Sequence, residues 1–303
     1  MRKAFTEAIL AKCNTEEYFF LTGDLGFMAL EEVRAAFGSR FINTGVAEQN
    51  MIGVAAGLAR ESHRVIVYSI APFCYARPYE QIRNDLCLNK LPVCLVGNGG
   101  GYAYGYMGPT HHALEDCAAM NALGVRVLVP AFDEDLLTIL ANLESPTYLR
   151  LGKEIKPVAE IPPAYSPWRE LLVGNCGAIA ALGPLAGLAW QALALLPINL
   201  RPSVWAVCEF NENDIPLSFF KQIKDQTLYV LEEHVEQGGL GMHLSLIFLK
   251  RGLKVKQFVH RTALGYPTGR FGSQKFHRTQ CGLDETSILE MVVNQNYDFR
   301  RQT

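Results

Sequence analysis

The sequence predicts an α/β fold of two domains, each a mostly parallel sheet flanked by helices. Three observations carry that expectation. Short runs rich in β-branched residues, VIVYSI (65–70), PVCLVG (92–97) and VRVLVP (125–130), have the continuous apolar character of strands buried on both faces. Helix-like stretches separate them, and strands alternating with helices imply parallel pairing through crossovers. The alternation stops at 152–168, GKEIKPVAEIPPAYSPW, which holds four prolines, and then resumes. We therefore expect a first domain over 1–153, a Pro-rich linker over 154–168 and a second domain over 169–303.

Taken in order, MRKAFTEAILAKC (1–13) is basic and then amphipathic, so it reads as a first helix and not as a leader peptide. Residues 41–59, FINTGVAEQNMIGVAAGLA, run into a helix of small apolar residues, with glycine or alanine at 53, 55, 56, 57 and 59. Helices this free of bulk are usually buried against other backbone. Glu48 stands at the entrance, where a carboxylate faces a desolvation cost unless something bonds it. Two readings stay open here: Glu48 bonds N–H groups of the first helical turn, or it awaits a ligand that wants a proton. YEQIRNDLCLNK (79–90) and ALEDCAAMNALG (113–124) continue the helical pattern.

In the second half, AIAAL (178–182), SVWAVCEF (203–210), TLYVLEEH (227–234) and LKVKQFVH (253–260) read as strands, with helices at LAGLAWQALALL (185–196) and after GGLG (238–241). Residues 171–200 carry no charge and are long enough to span a bilayer. Gly183-Pro184 divides them, so strand, tight turn and buried helix is the better account. A cytoplasmic location is expected. Hydrophobic residues make up 49% of 303, and 28 basic against 30 acidic side chains give a net charge of −2. That composition is globular and offers no basic stripe for nucleic acid. Eight scattered cysteines with no CxxC pair fit reduced thiols and argue against a zinc site.

The loop GNGGGYAYGYMGPTHHALED (97–116) follows a strand, and loops at strand carboxyl ends are where open α/β sheets bind ligands. Its glycine spacing matches neither the dinucleotide fingerprint nor the P-loop. The glycines suit either a phosphate cradle or a close backbone approach. Thr110 is placed to cap the following helix, and of His111 and His112 one is a candidate for acid/base chemistry.

GVAEQNMIGVAAGLA, YEQIRNDLCLNKLPV and GPTHHALED, in this order and spacing, resemble the pyrimidine-binding domain of transketolases. They also resemble 1-deoxy-D-xylulose-5-phosphate synthase and the smaller subunits of 2-oxoacid dehydrogenases. LEEHVEQGGLG (231–241) resembles the matching segment of the C-terminal domain in that superfamily. The resemblance implies thiamine diphosphate as cofactor. It implies that Glu48 bonds the aminopyrimidine ring nitrogen N1′ and favours the imino tautomer, a role that a carboxyl with a pKa raised by desolvation would suit. The pyrimidine needs an aromatic platform, for which APFCYARPY (71–79) offers Phe73, then Tyr75, with Tyr79 nearby. Asp24 matches an aspartate near the thiazolium, against a plain turn residue as the rival. His111 matches the histidine that handles the donor's hydroxyl and carbonyl groups, and His112 is expected on a helix surface.

Two departures from the family pattern sharpen the expectation. The GDG motif and later Asn that hold the diphosphate through Mg²⁺ are missing from this chain. A GDG-containing α-type subunit should therefore supply the metal ligands, in an α2β2 assembly, with no metal ligand here. Met107 replaces an aspartate that reads an acceptor hydroxyl, and glycines 99–101 stand where the family places basic residues. Arg150 matches a phosphate-binding arginine, or else pairs with an acid near the domain edge. The expected function is a two-chain transketolase-like transferase moving a two-carbon unit to an atypical sugar acceptor. The rivals are a 2-oxoacid dehydrogenase or deoxyxylulose-phosphate-synthase-like component and, from another class, a non-catalytic assembly subunit.

Overall fold

The structure, a computed structural model, describes residues 1–300 apart from 14, 15, 27, 144, 145 and 159, and the side chains of 295–300 are left aside. Two sheets organise the chain. The first has six parallel strands: β1 (Tyr18–Thr22), β2 (Phe41–Asn43), β3 (Arg64–Ile70), β4 (Val93–Asn98), β5 (Arg126–Leu128) and β6 (Thr147–Leu151), in the order β2-β1-β3-β4-β6-β5. The second has β7 (Trp168–Leu172), β8 (Ala178–Leu182), β9 (Ser203–Val207), β10 (Thr227–Leu231) and β11 (Gln257–Arg261), in the order β11-β10-β8-β9-β7. Only the edge strand β7 runs antiparallel, to β9. Strands β3, β4, β8 and β9 are almost wholly buried, as their continuous apolar runs require.

Trp168 and Arg169 are strand residues, so the second sheet takes up residue 168, which the sequence reading gave to the linker. The uncharged segment at 171–200 divides as expected into β8, a turn at Gly183-Pro184 and the helix Leu185–Leu193. Among the described residues no helix is long and apolar enough to cross a membrane. The stretch read as a helix over 79–90 is a short α turn, Tyr79–Gln81, that widens into a π-helix over Ile82–Cys87.

A buried polar network joins the sheets. Arg150, on β6, donates from Nε to Asp116 Oδ2 at 2.8 Å and from Nη2 to the carbonyls of Ala113 (2.7 Å) and Glu233 (3.0 Å). Tyr148 adds its hydroxyl to the same Asp116 oxygen at 2.7 Å. Glu233, just beyond β10, accepts from the Tyr102 backbone N–H (2.6 Å), from Gln274 (2.9 Å) and from Arg278. A second buried pair, Arg169 with Asp135 at 2.7 Å, fastens β7 to the first unit.

Each sheet has a place where strand order reverses, between β1 and β3 in the first and between β10 and β8 in the second. Such points leave a crevice at the strand carboxyl ends. In the second sheet the first unit fills it. Gly100, Arg150 and Lys153 meet Leu182, Pro184, Glu233 and Arg278 around a cavity of about 20 Å³, room for about one water. Asp116→Ala should cost about 3–5 kcal/mol by stranding the Arg150 charge in the interior. Chemical denaturation would read this as a lower midpoint, and a loss under about 1 kcal/mol would show that the network does not hold the two sheets.

Candidate functional site

Four consecutive strands of the parallel sheet deliver their following segments to one edge. Asp24 follows β1, Glu48 follows β2, Phe73 follows β3 and the loop 99–113 follows β4. Asn43 staples the first two: its Oδ1 accepts from the N–H groups of Asp24 (2.9 Å) and Gly45 (3.0 Å), and its Nδ2 donates to Asp24 Oδ1 (3.0 Å). Asp24 is exposed and holds a left-handed backbone with φ 56°. A Cβ at Gly23 would lie 3.3 Å from the Gly45 carbonyl and 3.7 Å from Glu48 Oε1, so Gly23 brings bare backbone beside the carboxylate.

Glu48 opens the helix Glu48–Arg60 and is 4% exposed. It does not cap that helix. Ala47 is the N-cap residue and no side chain bonds the first turn. Its partner is Arg77, whose Nη1 donates to Oε1 at 2.8 Å. The same guanidinium lies over the Phe73 ring, 3.7 Å from its centroid. His111 meets the Phe73 ring edge-on at 5.2 Å and lies 5.8 Å from the Tyr104 ring. Thr110 Oγ1 bonds His111 Nδ1 at 2.9 Å, and among the described residues no hydrogen bond engages Nε2. Thr110 therefore orients a histidine and caps nothing, because the next helix starts only at Asp116.

Glu48, Phe73 and His111 are thus linked through Arg77 and ring contacts, with Asp24 on the same edge. Tyr75, the second platform candidate, has no ring contact or hydrogen bond to these residues among the described residues. Its ring is 4% exposed in the core and its hydroxyl lies near Glu115. Burial first, and then Glu115, pushes its pKa up. Two residues along a short helix (Ala71–Tyr75) turn a side chain well away from its neighbour's direction, which explains the difference. Arg150 is likewise placed elsewhere: it is 5% exposed and pairs with Asp116, the acid that the sequence reading allowed for at the domain edge. Met107 is exposed on the loop of His111, beside the exposed Tyr106. Phe271 packs 3.6 Å from where a Gly108 Cβ would stand, so this rim is apolar.

The glycines of the loop serve packing. Gly99 and Gly101 hold φ of 80° and 65°, and a Cβ at 99, 100 or 101 would overlap Tyr104, Arg150 or Glu233 respectively. Gly101 and Ala113 exchange backbone bonds of 2.8 and 3.1 Å that close the loop at its base. His112 is not on a helix surface. It is 4% exposed, its Nε2 donates to the Gly105 carbonyl at 2.8 Å, and its Nδ1 faces the Tyr266 hydroxyl at 2.8 Å. Arg77 is the site residue that the sequence reading missed. The one signal for it was a single cation inside the aromatic stretch APFCYARPY. Asp116, Cys117 and His234 also lie together; Asp116 Oδ2 serves Arg150 and Tyr148 while Oδ1 has no hydrogen-bond partner among the described residues, and His234 Nε2 accepts from the Ala118 N–H.

Residues 1–157 match the model of the transketolase pyrimidine-binding domain. The chain is 28% identical over 272 residues to an apulose-4-phosphate transketolase subunit of Actinobacillus succinogenes, covering 86% of each. It is 29% identical to a putative transketolase C-terminal section of Methanocaldococcus jannaschii, covering 97% of this chain and 96% of the other. Among solved structures, a split-gene transketolase described as an inactive β4 tetramer superposes with a TM-score of 0.78 at 26% identity, over 97% of this chain and 96% of that one.

Three histidines packed between the two units should set an acid limit. Burial is the largest cause lowering the pKa of His112, His277 and His243 below the ordinary imidazole value of 6.5. His277 stacks on Tyr102 at 4.6 Å and His243 meets Asn121 at 3.0 Å. Unfolded, these rings take up protons at a higher pH than they do folded. Their contribution is therefore complete above pH 6.5 and is lost as pH falls through the lowered values. Calorimetry across that window should show the melting temperature falling with acid, with a shallower fall in His277→Gln. An unchanged slope in that variant would assign the acid limit to other groups.

Proposed function

The chain belongs to the transketolase family through its pyrimidine-binding domain, and we propose that it is the β-type subunit of a two-chain, thiamine diphosphate-dependent transketolase-like enzyme. One observation carries the reading. A flat, N–H-bearing guanidinium spans Phe73 and Glu48, which supports reading the ring face and the buried acceptor as a seat for a planar aminopyrimidine. When bound, the cofactor would supply a carbanion that accepts and passes on a two-carbon unit.

The residues of this chain divide the remaining work. Phe73 offers the stacking face, and Glu48 holds a proton at the pyrimidine ring nitrogen. Gly23 lets the ligand approach backbone at the carboxylate. His111, oriented by Thr110, presents Nε2 to a donor's hydroxyl or carbonyl oxygen. Asp24 lines the same crevice from β1. A divalent cation, Mg²⁺, must neutralise the diphosphate, and a GDG-containing α-type partner subunit is the proposed source of its ligands. The helix Glu48–Arg60 supports such a partner: Gly53 and Gly57 are exposed, with nothing within 4 Å of where a Cβ would stand. Glycines four apart let another backbone come close. An α2β2 assembly in the cytoplasm is the form we propose.

The acceptor should be unusual. Met107 cannot accept a hydroxyl hydrogen bond with the strength of a carboxylate. The apolar rim of Tyr106, Met107 and Phe271 offers surface instead. One relative is named for apulose 4-phosphate; that sugar is a ketose, which in a ketol transfer gives up the two-carbon unit, so a ketose phosphate of that kind is the first donor to try.

Alone, the chain should neither transfer a two-carbon unit nor bind thiamine diphosphate tightly. Titration calorimetry with cofactor and Mg²⁺ checks this, and sub-micromolar binding by the lone chain would overturn the split site. Reconstituted with its partner, Glu48→Gln should lose about a hundredfold or more in kcat with the fold intact, and hydrogen–deuterium exchange at cofactor C2 should slow. Wild-type exchange would remove Glu48 from cofactor activation. With a two-carbon donor, ribose 5-phosphate should be a poor acceptor, improved by Met107→Asp. If it proves the best acceptor by a wide margin, our account of Met107 is wrong.

A further inference from the structure

Two arginines lie near the loop edge of the first sheet, and they are held very differently. Arg150 is buried, grows from within strand β6 and satisfies three acceptors. Arg77 grows from the turn between the helices Ala71–Tyr75 and Tyr79–Gln81, and its side chain is 43% exposed. Its one hydrogen-bonded acceptor among the described residues is Glu48, and its other contact is the face of Phe73. A half-exposed ion pair is screened by water and weak, and a stacked guanidinium adds a modest attraction. Such a contact holds a position without locking it.

Both groups that Arg77 engages are those assigned above to the aminopyrimidine. A guanidinium is planar, cationic at every accessible pH and rich in N–H donors. Those features let it cover an aromatic face and reach a carboxylate at once. The two ligands cannot share this space: at 3.7 Å from the Phe73 centroid the guanidinium leaves no room for a second flat group between it and the ring.

Resting on the functional reading above, we propose that Arg77 is a built-in occupant of the pyrimidine site, seated on Phe73 and Glu48 until the cofactor's aminopyrimidine displaces it. The arrangement answers a problem of the unliganded subunit. Glu48 is 4% exposed, and a buried carboxylate without a partner is costly. Arg77 supplies that partner while the site is empty and has an open path to solvent when it leaves. The consequence is thermodynamic. A ligand that binds only the open form has its apparent affinity reduced by the fraction of molecules that are open. Arg77 therefore weakens pyrimidine binding, and any contact that draws it away strengthens that binding.

The test uses the full chain and the isolated pyrimidine, 4-amino-5-hydroxymethyl-2-methylpyrimidine, so that neither partner nor diphosphate is needed. Side-chain NMR of the arginine guanidinium groups follows Arg77, identified by its absence in Arg77→Lys. In the free chain its signal should carry the ring-current shift of Phe73. Titration with the pyrimidine should move it to the position of a solvated arginine. Arg77→Ala should bind the same probe about tenfold more tightly than wild type. Glu48→Gln should release the shifted signal without any ligand. Equal affinity in wild type and Arg77→Ala, with the Arg77 signal unmoved, would overturn the proposal and leave the pyrimidine site standing. Binding to neither protein would overturn the site reading itself, and this proposal with it.

Discussion

The buried pair of Arg150 and Asp116 is the constraint from which the remaining geometry follows. A guanidinium in the interior needs acceptors, and this one draws them from three places: the helix start at Asp116, the loop base at Ala113 and the end of β10 at Glu233. Meeting that demand fixes the β4 loop between the two sheets. The glycines at 99–101 follow from it, since side chains there would overlap Tyr104, Arg150 or Glu233. So does the position of His111, which rides on the far end of the loop that Gly101 and Ala113 close.

The two units share an architecture and yet differ in what they can hold. In the second sheet the crevice where strand order reverses is packed with side chains from the first, down to room for about one water. The equivalent crevice of the first sheet ends in Asp24, Glu48 and the Phe73 turn. The candidate binding residues thus gather on one sheet, and the other helps to hold the β4 loop. The contrast between Arg150 and Arg77 repeats the division at the scale of one residue type: bonded to three buried acceptors, arginine is a strut, and bonded to one at the surface it can leave.

Much of this was legible in the sequence, for identifiable reasons. Strands β3, β4, β8, β9 and β10 announce themselves because burial on both faces demands unbroken apolar runs. Strands β1 and β2 were not recognised: YFFLT is followed by a polar turn, and FIN is three residues long. β7 hides behind Arg169 and Glu170, whose charges are paired or set at a sheet edge. Glu48 could be singled out because a charge at the mouth of a small-residue helix is anomalous wherever it occurs. Phe73 and Tyr75 could not be separated, since both are aromatic and only the twist of a five-residue helix sends one to the crevice and the other to the core. Arg150 matched a ligand-binding pattern and could equally meet an acid. Its depth decides for Asp116, and depth is a property of the packed sheets. Arg77 escaped notice because a surface cation is ordinary until its neighbours in space are known.

The bare glycine face of the helix Glu48–Arg60 bears on how such a chain has to be made. Gly53 and Gly57 expose backbone that no side chain of the described residues shields, and a surface shaped for close approach does not distinguish one visitor from another until the correct one arrives. A copy of the same chain is always the nearest candidate while synthesis runs ahead of the partner. For a subunit of a split enzyme, the yield of working protein would then depend on balanced production of the two polypeptides as much as on the stability of either.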